Sequence, residues 1–210
     1  MYSRIQYISQ GSTSQQQIAN ITSVLEGGCK WIQLRFKNAT SEEFLETAKK
    51  VKILCEKHEA IFIINDNVEL AKEIDADGVH LGLTDSTIKE ARNIIGFDKI
   101  IGGTANTLHD VLRRISEKCD YIGLGPYRFT RTKEKLSPIL GLDGFQEIMN
   151  HIHLSGNHIP LYAIGGIEID DIPEIVNTGV YGIAISGILT NQKETKEIIT
   201  QLNKNLYANT

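Results

Sequence analysis

Ile61-Phe62-Ile63-Ile64-Asn65-Asp66-Asn67 sets four apolar residues in succession and then ends on an amide, an acid and an amide. A strand with one face in water alternates apolar and polar side chains. An unbroken apolar run belongs to a strand covered on both faces, as in a parallel sheet. The polar tip marks where the chain leaves that sheet.

Similar short runs recur on either side, at residues 4–8, 31–35, 78–81, 100–104, 121–124, 161–164 and 182–186. Amphipathic stretches separate them. Residues 13–26 open on Thr13, with Gln16 three residues on, and stop at Gly27-Gly28. Thr40 and Glu43 have capping-box spacing at the head of a helix reaching about Lys57. Residues 86–95, 107–118, 142–152, 169–177 and 193–206 supply further helices, and 69–74 a short one. Eight strand–helix units in 210 residues predict the α/β class and a compact single (β/α)8 TIM barrel spanning residues 1–210. A doubly wound open sheet shares the alternation. The eight repeats, and the lack of GxGxxG after the first strand, favour the barrel. The longest irregular stretch is 125–141; loops of that length in compact domains are usually functional or disordered.

The chain is 41% hydrophobic and carries a net charge of −4, which argues against a nucleic-acid partner. Any anion site must be a local cluster of cations. Cys29, Cys55 and Cys119 form no CxxC pair and read as reduced thiols of a cytoplasmic enzyme. Residues 1–12 lack the pattern of a signal peptide, and no apolar run reaches membrane length, so no membrane partner is expected. A homo-oligomer is left open.

In such a barrel the active site lies at the C-terminal ends of the strands. Strand two closes with Gln33-Leu34-Arg35-Phe36-Lys37, and alternation sets Gln33, Arg35 and Lys37 on one face. Facing the barrel mouth they gather two cations and an amide; facing outward they are solvated charges. Asn65-Asp66-Asn67 is either a helix cap or the source of an acid for the site. Strand four runs through Asp77-Gly78-Val79-His80-Leu81-Gly82, with Asp85 beyond. Asp85 caps the next helix or pairs with Asp66 around Mg2+, a hard ion that binds through one or two carboxylates and substrate phosphates. His80, inside its strand, is expected to be a satisfied core histidine. Gly102-Gly103-Thr104 offers close backbone approach and a hydroxyl, or simply a turn. The long loop carries Thr130, Thr132, Arg128, Arg131 and Lys133, an anion clamp or a flexible basic loop. Strands seven and eight end in Ala163-Ile164-Gly165-Gly166-Ile167 and Ile185-Ser186-Gly187, where barrels often hold a phosphate. The whole reads as two anion sites, one metal-assisted.

These motifs resemble the thiamine-phosphate synthase family: Gln33-Leu34-Arg35-x-Lys37, Asn65-Asp66, Asp77 to Gly82 with Asp85, Gly125-Pro126 with Thr130-x-Thr132-Lys133, Gly141-Leu142, Ala163 to Ile167, and Ser186. They run in family order over nearly the whole chain. The resemblance implies a pyrophosphate-releasing transferase that joins a pyrimidine diphosphate to a thiazole phosphate. It implies that Gln33 holds the aminopyrimidine, and that Arg35, Lys37, Asn65, Thr104 and Lys133 bind the diphosphate. Of these, Lys133, Arg35 and Lys37 act on the departing charge. It further implies Asp66 and Asp85 on Mg2+, and Thr130, Thr132, Gly166, Ile185 and Ser186 on the thiazole phosphate. Three departures stand out: Leu83-Thr84 in place of a Gln and an acid, Tyr127-Arg128-Phe129 in place of an apolar run, and Asn106 where a His is common. The rivals are a thiazole tautomerase of the same superfamily, which would want that His; a sugar-phosphate epimerase or isomerase; and a non-catalytic regulator that binds thiamine precursors.

Overall fold

The computed structural model describes residues 2–129, 138–190, 192 and 194–207. Eight strands alternate with helices: β1 (Ile5–Ile8), α1 (Ser14–Glu26), β2 (Trp31–Leu34), α2 (Ser41–Lys57), β3 (Ile61–Asn65), α3 (Val68–Glu73), β4 (Gly78–Leu81) and α4 (Ile88–Ile95). The second half continues β5 (Ile100–Ala105), α5 (Leu108–Ser116), β6 (Tyr121–Leu124), α6 (Gly141–Leu154), β7 (Leu161–Ile164), α7 (Ile172–Asn177), β8 (Gly182–Ile185) and α8 (Thr195–Tyr207). A 3-10 turn at Ile169–Asp171 leads into α7. Every neighbouring pair of strands is parallel, and β8 pairs back onto β1 through Ile5↔Ile183 and Tyr7↔Ile185, closing the barrel. The open-sheet alternative is thereby excluded.

Local chemistry sets the helix starts. The Thr13 hydroxyl accepts from Gln16 N, and full capping boxes join Thr40 to Glu43 and Thr87 to Glu90. The fourth helix therefore begins on Thr87, not at Ser86 as the spacing alone implies. Such caps typically contribute about 1 kcal/mol each.

The apolar run of β3 divides between two cores. Phe62 and Ile64 pack outward in the layer between barrel and helices, while Ile63 points inward against Trp31. The barrel interior is closed below by an aromatic plug. Trp31 meets Tyr121 edge-on with centroids 4.9 Å apart, and Tyr162 at 5.2 Å. Such pairs add about 0.5–1.5 kcal/mol each beyond area burial. Gly102 makes the plug fit, since a Cβ there would lie 2.2 Å from the Tyr121 ring. With the bottom filled by rings, a cavity lies at the top, where the strand tips end. No helix among the described residues is long and apolar enough to cross a membrane.

Candidate active site

The top of the barrel holds a cavity of about 240 Å3. Gln33, Arg35, Asn65 and Thr104 line it from strands two, three and five, and Gly166, Ile185 and Ser186 from strands seven and eight. Seven of the residues singled out from sequence thus meet in one space. Thr130, Thr132 and Lys133 lie outside the described residues.

The Gln33 side chain is 2% exposed. Its Nε2 donates to Asn65 Oδ1 at 2.7 Å, while its Oε1 is buried with no hydrogen-bond partner among the described residues. A buried carbonyl oxygen without a donor costs roughly 1–3 kcal/mol, and a ligand N–H recovers that energy. Because Asn65 uses its oxygen on Gln33, its Nδ2 is left to donate to a ligand.

The tip after β3 divides its three residues among three tasks. Asn65 faces the cavity. Asn67 caps α3, its Oδ1 accepting from Leu70 N at 2.9 Å. Asp66 sits between them at φ 64°, a left-handed conformation that Asp and Asn tolerate better than most residues. Its N–H is bound to His80 O at 2.9 Å, which fixes the tip to β4. The Asp66 carboxyl is pushed up to about 6, by burial first and then by a hydrogen bond and charge repulsion from Asp85; Lys37 and Arg35 pull it down. Asp85, Lys37 and Arg35, all named from sequence, therefore act on Asp66. Asp85 accepts from Gly82 N at 2.6 Å and caps no helix, since α4 is capped by Thr87. Two carboxylates pressed together, each opposing the other's ionisation, suit a divalent cation. No group of three or more metal-binding side chains forms among the described residues.

The Thiamine monophosphate synthase family profile matches residues 6–189. The chain belongs to this family. A "Thiamine-phosphate synthase" of Flavobacterium johnsoniae is 56% identical, covering 100% of this chain and 99% of that protein. Another with the same name, from Bacteroides fragilis, is 48% identical over 93% of this chain and 98% of its own length. The solved structure of a thiamine phosphate pyrophosphorylase from Pyrococcus furiosus superposes with a TM-score of 0.82 at 30% identity, covering 97% of this chain and 95% of that one. The chain is an enzyme of thiamine biosynthesis, a transferase.

Two of the three departures from the thiamine monophosphate synthase pattern, at Asn106 and at Arg128, have structural roles. Asn106 Nδ2 donates to Gly125 O and Ala105 O, tying the tip of β5 to that of β6. Asn106 is thus a buried structural amide. Arg128 holds the β7 tip: its backbone N–H donates to Gly165 O at 2.9 Å, and its Nη1 to Gly166 O at 3.0 Å. Gly166 lies at φ 68°, and a Cβ there would fall 2.8 Å from Arg128 O, so the close approach requires glycine. Nothing in the structure explains Leu83-Thr84.

His80 is the satisfied histidine expected, with both ring nitrogens hydrogen-bonded, yet it also lines the cavity. The Ser186 hydroxyl donates to Ile8 O at 2.5 Å, which directs its proton away from a phosphate. Sequence reading missed Gln10, a cavity residue whose signal was its place just beyond the first strand. It also missed Arg114, a helix cation 2% exposed beneath the site.

Proposed function

We propose that this enzyme joins 4-amino-2-methyl-5-(diphosphooxymethyl)pyrimidine to thiazole phosphate, giving thiamine phosphate and pyrophosphate. The observation that carries the reading is Gln33 Oε1, a buried acceptor without a donor among the described residues, in a cavity that Arg35 also lines. A ligand that answers both has an amino group close to a phosphate, as the aminopyrimidine diphosphate has.

In this reading Gln33 holds the exocyclic amine. Arg35, Lys37, Asn65, Thr104 and Lys133 take the diphosphate, and Asp66 and Asp85 hold Mg2+. When bound, Mg2+ supplies positive charge against the negative charge growing on the leaving group. The C–O bond to the diphosphate breaks first, and the electron pair leaves with pyrophosphate. Arg35, Lys37 and Lys133 stabilise that charge from fixed positions. The thiazole nitrogen then gives its lone pair to the pyrimidine-stabilised carbocation, forming the C–N bond. No proton moves in either step, so no general base is required. Gly166, Ile185, Ser186, Thr130 and Thr132 hold the thiazole phosphate, with Ser186 contributing its main chain while its hydroxyl serves Ile8. Holding both partners in line supplies the entropic share of the rate. Three buried, unpaired thiols support a place in the reducing cytoplasm, with small molecules as partners.

The test is direct. Purified protein given both substrates and Mg2+ should release pyrophosphate and form thiamine phosphate. Folded protein that makes neither product removes the reading.

A further inference from the structure

Four polar side chains from four strands form a chain of hydrogen bonds that ends at the cavity, where His80 and Thr104 line it. Gln6 on β1 donates from Nε2 to the Tyr121 phenol oxygen at 3.0 Å. That oxygen lies 3.0 Å from His80 Nδ1, and His80 Nε2 lies 3.0 Å from Thr104 Oγ1. All four are nearly fully buried: Gln6 is 1% exposed, Tyr121 0%, His80 5% and Thr104 7%. Gly123 leaves room for the imidazole, since a Cβ there would lie 3.2 Å from His80 Cε1.

The chemistry of the donors sets a direction. An amide nitrogen can only donate, so the Tyr121 oxygen accepts from Gln6. The phenol proton then goes to its other neighbour, His80 Nδ1, which becomes an acceptor. An imidazole accepting at Nδ1 carries its proton on Nε2. That N–H donates to Thr104 Oγ1, filling a lone pair of the hydroxyl. A doubly protonated ring would place two donors on the Tyr121 oxygen and leave the phenol proton without its acceptor.

We infer that Gln6, Tyr121 and His80 are positioning residues that turn the Thr104 proton into the cavity, making Thr104 a hydrogen-bond donor to an anionic ligand. Without the relay, Thr104 could donate to His80 and present only lone pairs, which repel a phosphate oxygen. The anion itself rests on the proposed function; the direction of the relay does not.

The test has two arms. Nitrogen-15 NMR of the ligand-free wild-type protein should show His80 with a bare Nδ1 and a protonated Nε2. A proton on Nδ1 overturns the inference, whatever the protein binds. In Tyr121→Phe, which keeps the ring and removes the phenol group, the His80 signals should move toward the Nδ1–H form. Its dissociation constant for inorganic pyrophosphate with Mg2+ should rise on the order of fivefold. An unchanged spectrum and unchanged affinity would also sink it. If Tyr121→Phe does not fold, the wild-type spectrum still decides. Wild-type protein that ignored pyrophosphate would refute the reading of the cavity, while the His80 spectrum would go on judging the relay separately.

Discussion

The Arg114 side chain occupies the space that a Cβ on Gly103 would need: such a carbon would lie 2.7 Å from both Cδ and Nε of Arg114. From there the guanidinium reaches up between two strand tips. Nε donates to Thr104 O at 3.1 Å, Nη2 to Gly82 O at 2.8 Å, and Nη1 to Glu117 at 2.9 Å. Gly82 is the residue whose N–H holds Asp85. One buried cation therefore steadies the tips carrying Thr104 and Asp85. Arg114→Ala should cost about 2–4 kcal/mol, because it leaves two inner carbonyls without donors and opens a void. Gly103→Ala should cost about 1–3 kcal/mol by overpacking. The double variant should lose less than the sum, since removing Arg114 frees the space the new methyl needs. Urea unfolding midpoints measure all three. Strictly additive losses would mean that the two residues do not compete for that space.

Asp66 and Asp85 make a second prediction. At neutral pH the Asp66 carboxylate is held against burial and against Asp85. Asp66→Asn removes that repulsion and keeps a residue that tolerates the left-handed backbone. The metal-free variant should be no less stable than wild type, and up to about 1 kcal/mol more so. Its apparent Mg2+ constant should nonetheless rise at least about tenfold, the scale on which even indirect partners of a metal act. Thermal unfolding and Mg2+ titration of pyrophosphate release separate the two effects. An unaltered Mg2+ titration would return Asp66 to a merely structural place at the tip.

The β3 segment shows which features could be read before folding. Its unbroken apolar run announced two-sided burial because that property belongs to the strand itself. The tasks of Asn65, Asp66 and Asn67 were mixed together, because the direction of each side chain depends on the left-handed turn at Asp66. The gathering of Gln33, Arg35, Asn65 and Thr104 was legible, since barrel geometry sends strand tips to one mouth. Arg114 was not legible. A cation on an amphipathic helix normally faces water, and what draws this one inward is a missing side chain on the neighbouring strand. The direction of the Ser186 hydroxyl was equally hidden, because it depends on the carbonyl of Ile8 across the β8–β1 seam.

Gln33 should control recognition of the pyrimidine more than that of the thiazole. Gln33→Leu fills the space but removes the acceptor at Oε1 and the donor to Asn65. Losing one such buried hydrogen bond costs roughly 1–3 kcal/mol. The KM for the pyrimidine diphosphate should rise at least about tenfold, with the KM for thiazole phosphate within about twofold of wild type. Steady-state kinetics with each substrate varied in turn gives both values. An unchanged pyrimidine KM would place the ring elsewhere in the cavity.

Arg128 should act on the opposite partner. Its guanidinium grips Asp171 through two bonds of 2.8 and 2.9 Å while also holding Gly166 O at 3.0 Å. The pair is partly solvent-exposed, so Arg128→Ala should leave stability close to that of wild type. The Gly166 tip would lose its side-chain tether, and the KM for thiazole phosphate should rise about three- to tenfold, since misplacing a binding group by a fraction of an ångström is costly. Arg128→Lys should recover little, because an ammonium cannot reproduce the two-pronged grip on Asp171 and reach Gly166 as well. A thiazole KM that stays at the wild-type value in both variants would show that the backbone bond from Arg128 N to Gly165 O suffices to hold the tip.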